Sequence, residues 1–274
     1  MVAAKRSRAR KRHVQTELLD ASGTKPKSLR GGKRPGAGRP PKGSRAGSPH
    51  KRRETFKASE PLHIVLRVMA VMGALRKREM YRALRWATVV VAKHEDVRII
   101  HLSIQRTHVH LLVEAQNKRA LARGMKAFQI SAAKLMNAAL GWPVRRRGQV
   151  FEDRYHSEVI RTPRQARHAL AYVLNNWRKH REDRGTRARS WLVDPFSSGC
   201  SFTGWKQLEH RDVMWKVPAT PEMCDAMIVW LPKTWLLQTG WRRYGLIDCR
   251  EVPSARQATR HKRAATRAAA TTGG

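Results

Sequence analysis

The sequence has few acidic residues for its size. Asp and Glu total 20 against 57 Lys and Arg, so the formal net charge of the 274 residues is +37. Such an excess favours a polyanionic partner, because basic side chains on phosphates release counterions. Nucleic acid is therefore the expected partner. An anionic membrane surface is less favoured, since the sequence contains no long amphipathic basic helix and no lipidation signal.

Cysteine is also scarce, and long apolar runs are missing. The three cysteines, Cys200, Cys224 and Cys249, have no metal-knuckle spacing, and an odd, sparse count argues against a disulfide framework. No segment approaches the roughly 20 apolar residues of a membrane span. The basic N-terminus lacks the apolar stretch of a secretory signal. We therefore expect an intracellular, soluble protein that binds a polyanion and resides in the cytoplasm.

Large apolar residues are nearly absent from both ends of the chain. Residues 1–58 are dense in Lys, Arg, Gly, Pro and Ser, and residues 254–274 are basic and rich in Ala, so both segments are predicted to be disordered. The N-terminal segment contains Gly38-Arg39-Pro40, which resembles an AT-hook. Such a hook lays Arg39 along an A·T minor groove. The alternative is a solvated basic linker.

Between these tails, periodicity predicts the element order β-α-β-β-α-β-α. This order is typical of an α+β, ferredoxin-like fold, an antiparallel sheet with helices on one face. Thr162, Pro163 and Gln165 predict a capped start for the last helix. This domain is expected to span residues 59–185. Residues 186–253 are rich in tryptophan and are expected to form an extension that wraps the domain, with a helix over the segment KTWLLQTGWRRYGLI.

The segment QRTHVHLLVE places two histidines in an apolar strand. Side chains alternate between the two faces of a strand, so His108 and His110 share one face and lie about 7 Å apart. Val109, Leu111 and Val113 take the other face, which is the core face. The two histidines are either polar residues on the outer face or neutral ligands of one metal ion.

The last helix carries a second polar pair. Its apolar stripe leaves Tyr172 about 130° from the stripe centre and Asn176 about 90° away. Residues four apart lie on adjacent turns of one helix side. The pair is either the polar edge of the stripe or part of a metal site shared with the histidines.

Together these features resemble the single-tyrosine HUH transposases, and within them the REP-associated tyrosine transposases. The strand THVHLLVE, its hairpin and the helix ALAYVLNNWRKH carry the resemblance, which covers about residues 60–182. It implies that Tyr172 is the nucleophile and that His108, His110 and Asn176 hold a divalent cation. The expected cofactor is Mg²⁺ or Mn²⁺, and imidazole ligands favour Mn²⁺. The implied reaction cleaves and rejoins single-stranded or hairpin DNA through a 5′-phosphotyrosine.

Other assignments stay open. Tyr155 is the alternative nucleophile, Glu114 is either a ligand-orienting residue or a solvated strand end, and His101 and His168 are secondary candidates. A catalytically silent DNA-binding protein on the same scaffold is the alternative function. A hydrolase of the His-x-His-x-Asp-His type is disfavoured, because leucines follow His110. A monomer is expected rather than a homodimer, since the extension would cover the surface that a dimer needs.

Basic residues around the predicted site are expected to contact DNA phosphates, which position DNA without reading its sequence. They lie on the long second helix, in the loop after it and at the end of the last helix. They are Arg123, Lys126, Lys134, Arg145, Arg146, Arg147, Arg178 and Lys179, in addition to Arg39 in the tail.

Overall fold

The computed structural model describes residues 53–140, 146–185, 188, 191–208 and 225–253. Residues 1–52 and 254–274 of the two predicted tails, which include Arg39, lie outside the described residues, and so does Arg145. Residues 53–58 are described, and Phe56 packs against the core, so the tail predicted for residues 1–58 extends too far into the domain. Within the described part, no helix is long and apolar enough to cross a membrane.

Four antiparallel strands form the sheet. They are β1 (Leu62–Arg67), β2 (Val97–Ile104), β3 (His108–Ala115) and β4 (His156–Val159), in the spatial order β2-β3-β1-β4. This is the strand order of the ferredoxin-like fold, and the predicted fold class is confirmed. The strand predicted between the second and the last helix is interrupted: a bridge joins Phe151 to Val68, and regular pairing resumes at His156.

Two helices, α1 (Arg78–Ala92) and α2 (Lys118–Leu140), cover one face of the sheet. Their apolar sides pack on the inward residues of the strands, among them Val109, Leu111 and Val113, each fully buried. Contact between α2 and β2 is close at Gly124. A Cβ there would lie 2.5 Å from a methyl of Val97, so only glycine lets the helix approach this far.

The third helix, α3 (Pro163–Lys179), packs on the opposite face of the sheet. Its predicted capping box is present: the Thr162 side chain accepts from the Gln165 backbone amide, and the Gln165 side chain accepts from the Thr162 amide. A second apolar cluster joins α3 to Ile100 and Leu112 of the sheet. The predicted arrangement of helices on one face therefore holds only for α1 and α2, because α3 and part of the extension cover the other face.

Part of the tryptophan-rich extension packs on this second face, whereas Met227 of the same extension is buried in the α1/α2 core. Trp205 and Trp241 are fully buried in the same cluster as α3. The single helix predicted near residue 233 is instead a four-residue helix, α4 (Trp235–Gln238), followed by a 3₁₀ helix at Gly240–Tyr244. At the start of the 3₁₀ helix, Gly240 packs directly against the Trp235 ring, where a larger side chain would clash.

Candidate functional site

The strand histidines face α3 rather than the α1/α2 core. The rings of His108 and His110 meet edge to face with centroids 4.7 Å apart. His110 is 3% exposed, so it is not a solvated surface residue. The alternation predicted for β3 is therefore observed, but its outer face is covered by a second layer of protein.

Tyr172 lies against His110 of this pair. Its ring contacts the ring of His110 edge to face, with centroids 5.3 Å apart. The ammonium nitrogen of Lys179 lies 4.8 Å from the centre of the Tyr172 ring. Residues seven apart return to the same side of a helix, which explains why α3 aims both side chains at one place. The structure thus brings together Tyr172, His110 and Lys179.

His63 on β1 is a member of this cluster that sequence reasoning missed. Its Nε2 atom lies 3.0 Å from Nδ1 of His110, and the two rings stack with centroids 5.2 Å apart. It also meets the Tyr172 ring edge to face at 5.6 Å. Alternation along LHIVLR places His63 opposite the core residues Leu62 and Ile64, but only the pairing of β1 with β3 brings it beside His110.

Asn176 is completely buried one turn after Tyr172. Among the described residues, neither its side-chain oxygen nor its side-chain nitrogen has a hydrogen-bond partner, and the same holds for Nε2 of His110. Buried polar atoms are normally paired, since leaving one unpaired costs roughly 1–3 kcal/mol. A lone pair on a buried imidazole and an amide oxygen on the facing helix are donors that a divalent cation accepts.

His108 also has a nitrogen available as a ligand for a cation. Its Nδ1 atom lies 3.2 Å from the Thr107 hydroxyl, which leaves Nε2 for another ligand. In the described part of the chain, no three His, Cys, Asp or Glu side chains converge as a metal cluster. The set of His108, His110 and Asn176 is of a different kind, because its third donor is an amide.

Burial keeps the histidines of the cluster neutral. Desolvation, followed by repulsion from neighbouring imidazoles, lowers the pKa of His63 to about 4. The pKa of His108 also falls to about 4, through desolvation and then the nearby His180. The pKa of His110 lies well below its ordinary value for the same leading reason. Neutral imidazoles at neutral pH are the form that binds metal.

A cavity of about 580 Å³ opens beside the cluster. His63, His110 and Tyr172 line one side of it. Residues 251–253 of the extension line another, and Glu251 there forms a two-pronged ion pair with Arg167 of α3 at 2.8 and 2.9 Å. The extension therefore supplies part of the wall around Tyr172.

The alternative nucleophile, Tyr155, lies elsewhere. It packs in the α1/α2 core, is 9% exposed, and carries the guanidinium of Arg53 over its ring at 3.7 Å. Burial raises the pKa of the Tyr155 phenol. A buried phenol on the far side of the sheet is poorly placed to meet DNA, so the geometry favours Tyr172.

The three secondary candidates lie in different parts of the structure. Glu114 is neither solvated nor part of the cluster: it is 5% exposed and accepts hydrogen bonds from the backbone of Lys233 and Thr234. His101 lies 3.0 Å from the Ser198 hydroxyl in the contact between β2 and the extension. His168 lines the cavity beside Tyr172.

The predicted DNA-contacting cations divide between two faces of the molecule. Arg123, Lys126 and Lys134 are exposed on α2, and the sheet separates them from Tyr172. Arg123 also pairs with Asp96. Lys179 alone of this predicted set, within the described residues, lines the cavity.

The remaining cations have other surroundings. Arg146 donates to Asn137 and to the Gln149 carbonyl, while Arg147 is exposed in the same loop. The guanidinium of Arg178 is used within the fold, since it donates to the carbonyls of Leu192 and Cys249 and to Asp183. Arg178 therefore ties α3 to the extension, and its guanidinium is not free to bind a DNA phosphate.

Residues 58–176 match the model of the family described as transposase IS200 like. No curated protein matches the sequence closely enough to be counted as a relative.

Two solved structures resemble the fold at low identity. One is a REP-associated tyrosine transposase bound to a REP hairpin, at 18% identity and a TM-score of 0.41, covering 55% of this chain and 82% of that chain. The other is described as a transposase from Deinococcus radiodurans R1, at 16% identity and a TM-score of 0.32, covering 49% of this chain and 95% of that chain.

Proposed function

We propose that this chain, whose residues 58–176 match the family described as transposase IS200 like, cleaves and rejoins single-stranded DNA with Tyr172 as the nucleophile. The substrate is a hairpin or a repeat element, and the intermediate is a 5′-phosphotyrosine. The observation that carries the proposal is the contact of Tyr172 with His110 at the edge of a cavity. The basic composition supports a nucleic-acid substrate.

The proposed chemistry is a transfer of phosphorus between two oxygens. The Tyr172 oxygen forms a bond to the scissile phosphorus as the bond to the 3′ oxygen breaks. The phenol loses a proton and the departing 3′ oxygen gains one, which leaves a free 3′-hydroxyl. Attack by that or another 3′-hydroxyl reverses the step and rejoins DNA, so no external energy source is needed.

His108, His110 and Asn176 are the residues that would hold Mg²⁺ or Mn²⁺ in this proposal. When bound, a divalent cation offsets the negative charge that grows on the scissile phosphate. The protein itself supplies neutral imidazoles, kept so by burial, and a buried amide whose oxygen has no other partner among the described residues. Its Lys179 places a positive charge beside the Tyr172 ring, which stabilises phenolate character during attack.

The proposal is tested with a labelled hairpin carrying a single-stranded flank. The protein and DNA are incubated with Mn²⁺ and separated on a denaturing gel. We expect a covalent protein–DNA band that EDTA prevents and that Tyr172→Phe abolishes. Tyr155→Phe is the matched control, because Tyr155 packs in the α1/α2 core and does not line the cavity. Tight DNA binding by the wild type without any adduct would instead indicate a catalytically silent DNA-binding protein.

A further inference from the structure

Resting on the proposed function, we infer that His63 is a positioning residue that sets the tautomer of His110. His63 lies on β1 and reaches the cluster through the pairing of β1 with β3, which aligns Val65 with His110. Its Nε2 atom faces Nδ1 of His110 at 3.0 Å. One of these two nitrogens donates and the other accepts, so the contact determines which nitrogen of His110 carries the hydrogen.

The surroundings decide the direction of this bond. Nε2 of His110 is buried and has no partner among the described residues. A hydrogen on that atom would be buried without an acceptor, whereas a lone pair there is free to bind a cation. The favourable arrangement puts the hydrogen of His110 on Nδ1, which donates to Nε2 of His63. His63 thereby presents His110 as a ligand, in the way that a partner of the second ring nitrogen orients metal-binding histidines.

Stacking adds a second restraint. The planes of the His63 and His110 rings are 20° apart, and His63 also touches Tyr172. His63 thus borders both the ligand and the proposed nucleophile. These two contacts predict different effects: a residue that orients His110 changes cation affinity, whereas a residue that only packs against Tyr172 changes the rate of attack.

The test compares His63→Leu with His63→Gln. A glutamine side chain places an amide oxygen near the position of the histidine Nε2 atom and still accepts from His110, while leucine fills space and accepts nothing. Free Mn²⁺ is measured by electron paramagnetic resonance during titration of the purified full-length protein. We expect His63→Leu to weaken Mn²⁺ binding by about 10- to 100-fold and His63→Gln to recover most of it.

Other outcomes overturn the inference. Equal Mn²⁺ affinity in His63→Leu and wild type, with slower adduct formation, would make His63 a packing residue of Tyr172. Equal loss in both variants, with lowered unfolding midpoints, would make it a structural residue. Failure of the proposed function itself is recognised separately, because the wild type would then bind no Mn²⁺ or form no adduct.

A different observation carries a second inference, also resting on the proposed function. We propose that the extension holds the single-stranded DNA that leads away from Tyr172. Trp235 and Tyr244 are 48% and 46% exposed, and each carries an arginine over its ring: Arg243 lies 4.9 Å from the Trp235 centroid and Arg164 lies 5.2 Å from that of Tyr244. We call these four residues the extension ledge.

Arg167 links the ledge to the cavity of Tyr172. Arg167, one turn after the ledge residue Arg164 on α3, lines the cavity and donates to the carbonyls of Gly245 and Leu246, which follow Tyr244. Along α3, Arg164 and Tyr172 are about 12 Å apart. Exposed aromatic rings beside cations are the combination with which proteins bind single strands, through base stacking and phosphate contacts.

Fluorescence anisotropy tests the ledge in a Tyr172→Phe background, where binding is measured without chemistry. The substitutions Trp235→Ala and Tyr244→Ala together are expected to weaken binding of a hairpin with a long single-stranded flank at least tenfold, and binding of a blunt hairpin little. Trp86→Ala is the control, since Trp86 is 55% exposed on α1. Unchanged binding of the flanked hairpin, or an equal loss of binding in Trp86→Ala, would overturn the inference. Loss of self-association without loss of DNA binding would also overturn it, because the ledge would then contact a second copy of the chain.

Discussion

The rings of Tyr172 and His110 meet edge to face, with centroids 5.3 Å apart and planes 87° apart. The two residues come from α3 and β3, which lie far apart in the chain and pack through the second apolar cluster. Their contact places a hydroxyl-bearing side chain beside a buried neutral imidazole at a cavity.

Asn176 is expected to lower the stability of the metal-free protein and to support metal binding. Replacing Asn176 with Leu removes two buried polar atoms that lack partners among the described residues, so the free energy of unfolding without metal should rise by about 1–3 kcal/mol. The same change removes a proposed ligand, so Mn²⁺ affinity and adduct formation should fall at least tenfold. Urea denaturation and Mn²⁺ titration measure the two effects. A destabilised variant with unchanged Mn²⁺ affinity would assign Asn176 to the core instead.

Lys179 is expected to affect the rate of cleavage. Lys179→Met keeps the length of the side chain and removes the positive charge beside the Tyr172 ring. We predict that adduct formation slows by about 10- to 100-fold, because about 1.4 kcal/mol of lost stabilisation corresponds to tenfold in rate. Single-turnover gels measure this rate at saturating DNA. Lys126→Met on the far side of the sheet is the control, and an equal effect there would point to general loss of charge.

Glu114 is expected to hold the extension on the domain. Its carboxylate accepts from two backbone amides and the Thr234 hydroxyl, and lies 3.4 Å from the guanidinium of Arg98. Glu114→Leu leaves these donors buried without an acceptor, and should lower the free energy of unfolding by about 3 kcal/mol. Urea denaturation and limited proteolysis report the change. The exposed Glu95→Gln should have no such effect, and equal stability of both variants would refute the anchoring role.

The stability of the protein is expected to fall in mild acid. Burial lowers the pKa of His101 to about 4, whereas the unfolded chain should titrate near the ordinary value of 6.5. Between these values the unfolded state binds a proton that the folded state does not, so unfolding becomes easier as pH falls from about 6.5 to about 4. His101 alone contributes a loss on the order of 2–3 kcal/mol.

Comparison of two histidine variants isolates this contribution. Unfolding free energies of wild type, His101→Gln and His94→Gln are measured across the acid range. The curve for His101→Gln should be flatter than that of the wild type, and the curve for His94→Gln should follow the wild type, since His94 is only partly buried after α1. Parallel curves for all three proteins would show that His101 is not held neutral.

Local sequence patterns were sufficient for features that depend on one element. Alternation in β3 correctly separated His108 and His110 from the core, and Thr162 with Gln165 correctly marked the start of α3. The strand order also followed from the order of elements. These features depend on backbone periodicity and on contacts a few residues apart, which a sequence displays directly.

Features that depend on distant contacts were not predictable in the same way. His63 enters the cluster only through strand pairing, and Glu114 is buried by amides more than a hundred positions later in the chain. The position of α3 on the second face of the sheet depends on the path of the loop that precedes it, which local sequence patterns do not reveal. Arg178 looks like a DNA contact in sequence, yet carbonyls of the extension use its guanidinium.

The central claim is that Tyr172 forms the covalent bond to DNA, and peptide mapping of the adduct tests it most directly. Trypsin cleaves after Arg167 and Arg178 and releases one peptide that contains Tyr172 as its single tyrosine, while Tyr155 lies in a separate peptide that ends at Arg161. After nuclease trimming, mass spectrometry should find the added nucleotide on Tyr172. A nucleotide on the Tyr155 peptide, or on no tyrosine, would contradict the account.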